Sequence, residues 1–141
     1  MTNNARRYLF DTSAVLTHYR KEIGWETVQA LFEDGEAEIV IASPTIAEFA
    51  RRLHALGVED EEVERIVSEY ALLFSAVIAV DAAVATNAYN IGRQTPDRIP
   101  LIDALIAAAA QAGEAALVHR DAHMAAIPSD LVRQQYLIDA K

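Results

Sequence analysis

The feature that most restricts the fold is an alternation that runs the length of the chain. Short apolar runs, several of them β-branched, recur at residues 7–10, 37–42, 76–80, 115–119 and 134–138. Between them lie longer segments whose apolar residues fall at helical spacing. Val15, Leu16, Tyr19, Val28, Leu31 and Phe32 form one such stripe, and Gly24 breaks it into two helices. Val63, Ile66, Val67, Tyr70, Leu73 and Phe74 form another. Strands that pair in parallel need a crossover between them, and a helix is the usual one. The pattern predicts a parallel sheet with helices on both faces, a three-layer α/β/α sandwich of about 4–5 strands.

The punctuation residues agree with that reading. Ser43-Pro44 predicts a helix start, with Ser43 as the cap and Pro44 at the first helical position, and Gly57 predicts its end. Asp81 predicts the cap of a helix that runs to residue 93. Residues 101–112 are Ala-rich and helical in pattern, and Gly113 closes them.

Size and composition narrow the function classes. A chain of 141 residues, 52% hydrophobic and 23% charged, predicts a single globular domain over residues 1–141 that folds without disulfide or structural metal. It has no cysteine, which excludes a thiolate zinc site and a cysteine nucleophile. Twelve basic against 21 acidic residues give a net charge of −9, so long-range attraction to nucleic acid or anionic lipid is not built in. Tyr8-Leu9-Phe10 after Arg6 and Arg7 is too short for a secretory signal, because Asp11 interrupts it. The longest near-apolar run, residues 70–80, falls well short of the roughly 18 residues that a membrane span needs. The expectation is a soluble, cytoplasmic protein with no membrane contact.

In an open parallel sheet, ligands bind beyond the carboxyl ends of the strands. Asp11 directly follows the first predicted strand, and Asp121 lies two residues past the fourth. Glu48 and Asp103 stand on otherwise apolar helix faces near two helix starts. Each acid has an ordinary account. Asp11 is suited to cap a helix and Asp121 to sit in a turn. Glu48 and Asp103 gain about 0.3–1 kcal/mol each near positive helix ends. Together they predict more. Carboxylates gathered on one sheet edge repel and raise one another's pKa. An oxygen-only donor set resolves this with a hard divalent cation, Mg²⁺ or Mn²⁺, and such a site favours a phosphate substrate.

Four segments carry a family resemblance. They are Tyr8-Leu9-Phe10-Asp11-Thr12-Ser13-Ala14, Ser43-Pro44-Thr45-Ile46-Ala47-Glu48-Phe49, Ile99-Pro100-Leu101-Ile102-Asp103-Ala104-Leu105-Ile106-Ala107 and Leu117-Val118-His119-Arg120-Asp121-Ala122-His123-Met124. In their order and spacing, over nearly the whole chain, the sequence resembles the PIN-domain family. Within it, the sequence is similar to the VapC-type toxins of bacterial and archaeal toxin–antitoxin pairs. The resemblance implies a metal-dependent endoribonuclease. It implies Asp11 and Asp103 as the main Mg²⁺ or Mn²⁺ ligands, with Glu48 and Asp121 completing the catalytic acids. It implies that Thr12 or Ser13 supports the site through a hydroxyl. It also implies a cognate antitoxin that places a basic residue in the acidic site, and a homodimer. The alternative is a PIN-fold module that binds RNA or a partner without cleaving.

The sequence departs from the family pattern around the fourth acid. The family often has Thr or Ser two places before it, where His119 stands, and Asp and Phe after it, where His123 and Met124 stand. His119 is either a strand-end residue or a hydrogen-bond partner of a phosphate or of Asp121. RNA affinity needs phosphate contacts from Lys or Arg. Arg51, Arg52, Arg93, Arg98 and Arg120 are the candidates for such a rim. Tyr19, Trp25, Phe32 and Phe49 are expected in the core. Two other phosphoryl-transfer families with an aspartate after strand one fit less well. A haloacid-dehalogenase-type phosphatase wants a second Asp where Ser13 stands, and a receiver domain wants paired acids that Phe10-Asp11-Thr12 does not supply.

Overall fold

The computed structural model describes residues 6–137. Five strands form one sheet in which every neighbouring pair is parallel. They are β1 (Arg7–Phe10), β2 (Glu38–Ala42), β3 (Ala76–Ile78), β4 (Ala116–His119) and β5 (Gln134–Tyr136), in the order β3-β2-β1-β4-β5. Ile138, placed at the end of the predicted fifth strand, lies outside the described residues. The helices are α1 (Thr12–Arg20), α2 (Trp25–Glu33), α3 (Ser43–Ala55), α4 (Asp60–Ala71), α5 (Ala82–Gln94), α6 (Leu101–Ala112) and the short α7 (Ala122–Ala125).

The layers follow from the two-residue period of a strand. Leu9, Val40 and Leu117 point to one face, where Val84, Ala88 and Ile91 of α5, the Ala-rich side of α6 and Met124 of α7 complete a core. Phe10, Ile39, Ile41 and Val118 point to the other face, against Val15, Val28, Phe49, Leu53 and Ile66 from α1 to α4. Being apolar on both faces is what makes β2 and β4 read as unbroken apolar runs. The expected aromatic core is present: Phe10 meets Phe32 edge-on at 5.2 Å, and Phe49 meets Tyr70 at 5.3 Å. Trp25 is half-buried instead, edge-on to His18 with the Lys21 ammonium over its ring.

Two local readings are corrected. Helix α3 starts at Ser43 itself, with Ala42 in the cap position, so Ser43 is not the cap. Its hydroxyl instead accepts a hydrogen bond from the Val80 backbone N–H at 3.2 Å. The third strand is shorter than the predicted 76–80: β3 stops at Ile78, and it lies at the edge of the sheet with Val77 49% exposed.

The break between α1 and α2 uses left-handed backbone at Lys21 (φ 53°) and Gly24 (φ 101°). A Cβ at Gly24 would stand 3.0 Å from the Leu137 carbonyl oxygen and 3.2 Å from its Cβ. Gly24→Ala is therefore both strained and crowded, and is expected to cost about 2 kcal/mol. Urea unfolding checks this: the midpoint falls while the slope is unchanged. Among the described residues, no helix is long and apolar enough to cross a membrane.

Candidate metal centre

The strand order reverses between β1 and β4, which lie side by side, and a crevice at such a point is where open α/β sheets bind ligands. Pairing continues one step past β1, where the Asp11 N–H donates to the Val118 carbonyl at 3.0 Å. The chain then turns directly into α1. Asp11 caps that helix through Oδ2, which accepts from the Ser13 N–H at 3.0 Å and from its hydroxyl at 2.5 Å. The Ser13 hydroxyl oxygen also accepts from the Arg120 N–H at 2.9 Å, so the ends of β1 and β4 are tied together. The ordinary account of Asp11 as a cap is thus correct but incomplete. Its other oxygen, Oδ1, is buried with no hydrogen-bond partner among the described residues, and the residue is 3% exposed.

Asp121 follows β4 and caps α7, with Oδ1 accepting from the His123 N–H at 2.8 Å. Asp103, the third residue of α6, is 9% exposed and brings a carboxylate oxygen within 4.8 Å of the Asp121 carboxyl. Glu48 reaches the crevice from α3, which packs on both α1 and α6. Its Oε1 accepts from the Thr12 hydroxyl at 2.5 Å. The four acids named from the sequence therefore converge.

Their electrostatics show the strain of that convergence. Burial pushes Asp11 up to about 6, against the pull of its two Ser13 hydrogen bonds and with help from the Glu48 and Asp121 charges. Asp103 is pushed up to about 8, first by burial and then by the charges of Asp121, Asp11 and Glu48. Among the described residues, no Lys or Arg forms an ion pair with any of these four acids. An orphaned buried oxygen, carboxyl groups whose pKa values are raised by burial and by one another, and no basic counter-charge fit a site built for a divalent cation.

The two histidines part company. His119 is fully buried, stacked on Tyr136 with ring centres 5.2 Å apart. Its Nδ1 accepts from the Asp121 N–H at 3.1 Å, so the proton sits on Nε2, which donates to Gln134 Oε1 at 2.8 Å. Burial lowers its pKa and keeps it neutral. His119 therefore positions Asp121 and has no surface to offer a phosphate. In the sequence His123 stands out only as a departure from the family pattern. It stands with Asp103 and Asp121 in a group whose candidate ligand atoms all lie within 4.8 Å of one another. The available signal was its place two residues after Asp121, but α7 has only four residues, too few to show a helical period.

The candidate arginine rim is dispersed. Arg120 ion-pairs with Glu22 at 2.8 Å, and Arg93 donates to Asn90 at 3.3 Å. Arg51, Arg52 and Arg98 are exposed. A separate apolar recess lies between α3, α4 and β3, lined by Val15, Ile41, Phe49, Val67 and Phe74, and none of the four acids lines it.

The PIN domain family model matches residues 8–129, which takes in Asp11, Glu48, Asp103 and Asp121 and helices α1 to α7. No curated protein matches the sequence. Among solved structures, the chain is similar to VapBC2 from Rickettsia felis bound to a DNA fragment from their promoter. There, 18% identity covers 92% of this chain and 98% of that one, with a TM-score of 0.72. DNA-bound VapBC from Salmonella typhimurium matches at 18% identity over 93% and 98%, with a TM-score of 0.72. A toxin–antitoxin complex from Klebsiella pneumoniae matches at 21% identity over 81% and 86%, with a TM-score of 0.61. Likenesses at that identity speak for the fold, and the family match speaks for descent: this chain belongs to the PIN domain family.

Proposed function

We propose that the protein is a metal-dependent endoribonuclease that hydrolyses RNA phosphodiester bonds, and that it is the toxin of a toxin–antitoxin pair. The observation that carries this reading is Asp11, a buried carboxylate whose Oδ1 has no partner while three further acids crowd it. Asp11 and Asp103 are its proposed Mg²⁺ or Mn²⁺ ligands, and Glu48 and Asp121 complete the acidic set. Held by these residues, a divalent ion would supply Lewis-acid activation of water and charge neutralisation for a phosphate substrate. Thr12 fixes Glu48 by donating to Oε1, which leaves Oε2 to orient a water or take its proton. Ser13 holds Asp11 in place through Oδ2, on the side away from the orphaned oxygen. With no cysteine in the chain, a water nucleophile is the consistent choice.

The exposed Arg51, Arg52 and Arg98 are the proposed phosphate contacts, with Arg120 joining once Glu22 releases it. The similar structures named above are complexes, which supports an antitoxin partner here. A net charge of −9 favours a partner that brings a basic segment to the acidic crevice. Tyr89 and Leu101, exposed beside one depression between α5 and α6, support a homodimer.

The test is cleavage of a mixed cellular RNA pool by purified protein. Cuts are expected with Mg²⁺ or Mn²⁺, and none with EDTA or with a folded Asp11→Asn variant. Cutting that survives in Asp11→Asn sinks the assignment. Absence of both cutting and metal binding identifies a non-catalytic module instead.

A further inference from the structure

We propose that His123 is a direct ligand of the cation held by Asp103 and Asp121, and that its imidazole makes the site prefer Mn²⁺ to Mg²⁺. This rests on the metal site proposed above and specifies its chemistry.

The geometry carries it. An octahedral ion about 2.1 Å from each ligand sets neighbouring donors roughly 3.0 Å apart and opposite donors roughly 4.2 Å apart. His123 Nδ1 lies 3.3 Å from Asp121 Oδ1, close to the separation of neighbouring ligands. The candidate ligand atoms of Asp103, Asp121 and His123 all fall within 4.8 Å of one another, so small rotations close them on one ion. The backbone of His123 is held where this requires, because its N–H donates to Asp121 at 2.8 Å. The ring itself is 58% exposed, so it turns without disturbing a core. A second observation points to an ion at this edge of the sheet: at the end of β1, the strand paired with β4, Asp11 Oδ1 is buried without a partner.

The chemistry follows from the donor set. Mg²⁺ is small, demands oxygen ligands and gives up its water reluctantly. Imidazole suits transition-metal dications, and Mn²⁺ accepts it alongside carboxylates. Replacing one oxygen donor by a nitrogen therefore moves the preference from Mg²⁺ towards Mn²⁺. His119 does not compete for this role: its Nδ1 is taken by the Asp121 N–H and its Nε2 by Gln134.

The experiment is pulsed EPR on Mn²⁺ bound to the full chain, with calorimetric titration of Mn²⁺ and Mg²⁺. The expected spectrum shows coupling to one directly bound imidazole nitrogen, which changes to the ¹⁵N pattern on histidine labelling. In His123→Asp the coupling is lost and the ratio of Mn²⁺ to Mg²⁺ affinity falls about tenfold or more. Mn²⁺ bound without nitrogen coupling, or with coupling that persists in His123→Asp, overturns the proposal and leaves the carboxylate site standing. Mn²⁺ binding that is absent, or untouched by Asp103→Asn, overturns the metal site itself and this proposal with it.

Discussion

Asp103→Asn is expected to abolish cleavage while leaving the protein folded, and at alkaline pH to make it more stable than the parent. The loss of activity should exceed about 100-fold, since even residues that only support metal ligands cost 10–100-fold when removed. The stability effect has a different origin. In the metal-free protein burial and the neighbouring acids push Asp103 up to about 8, so folding favours its protonated form. An Asn side chain has nearly the same shape and carries no charge at any pH. The unfolded parent is already ionised at this position at pH 7, so the variant should melt above the parent there, and the gap should widen as the pH rises towards about 8. At pH 8.5 the parent carries an additional buried negative charge and the variant does not, so the variant should melt several degrees higher. Calorimetry at both pH values, beside the RNA assay, checks the pair of effects. A variant that is inactive because it is unfolded, or one that is less stable at both pH values, would show that Asp103 is a structural residue rather than part of a site under electrostatic load.

This combination was half legible in the sequence. The four acids were visible because each sits at a special address: the end of an apolar run, or the start of an apolar helix. The strand alternation then implied that those addresses share one edge of a sheet. Period two and period 3.6 carry that kind of information directly. What they do not carry is which polar group takes which partner. Ser43 looked like a helix cap by local rules and is instead spent on the Val80 N–H, 37 positions away in the chain. Arg120 sits next to Asp121 in sequence, yet its guanidinium turns to Glu22. His119 and His123 looked alike as departures from a pattern. Burial separates them, one locked between Gln134 and Asp121 and the other half in solvent beside two carboxyls. Such choices depend on long-range packing, which a single chain's periodicity does not report.

The same burial sets the pH dependence of the metal-free protein. Asp11 and Asp103 both hold protons more tightly when folded than when unfolded, so protonation favours the folded state. Their contribution is whole below the unfolded value of 3.8 and is lost as the pH rises, through about 6 for Asp11 and about 8 for Asp103. For Asp11, nearly free of solvent, a shift from 3.8 to about 6 amounts to about 3 kcal/mol once it is ionised. His119 acts in the opposite sense. Its folded value is lowered, so its contribution is present above the unfolded value of 6.5 and fades as the pH falls. The window from pH 6.5 to 8.5 therefore isolates the Asp103–Asp121 pair. There the unfolding free energy should fall by at most about 1.4 kcal/mol per pH unit, the slope for one proton. That corresponds to roughly 3–5 °C in melting temperature per unit for a chain of this size. Mn²⁺ should erase the slope, because it binds the ionised carboxylates, and binding should tighten as the pH rises. At 100 times its Kd it should also add about 2.7 kcal/mol. Melting curves across this window, with and without Mn²⁺ and for Asp103→Asn, decide the matter. A parent that melts at the same temperature from pH 6.5 to 8.5, or an Asp103→Asn variant with the parent's slope, would mean that the four acids are not electrostatically coupled. In that case the crevice beyond β1 and β4 would lose its claim to a cation.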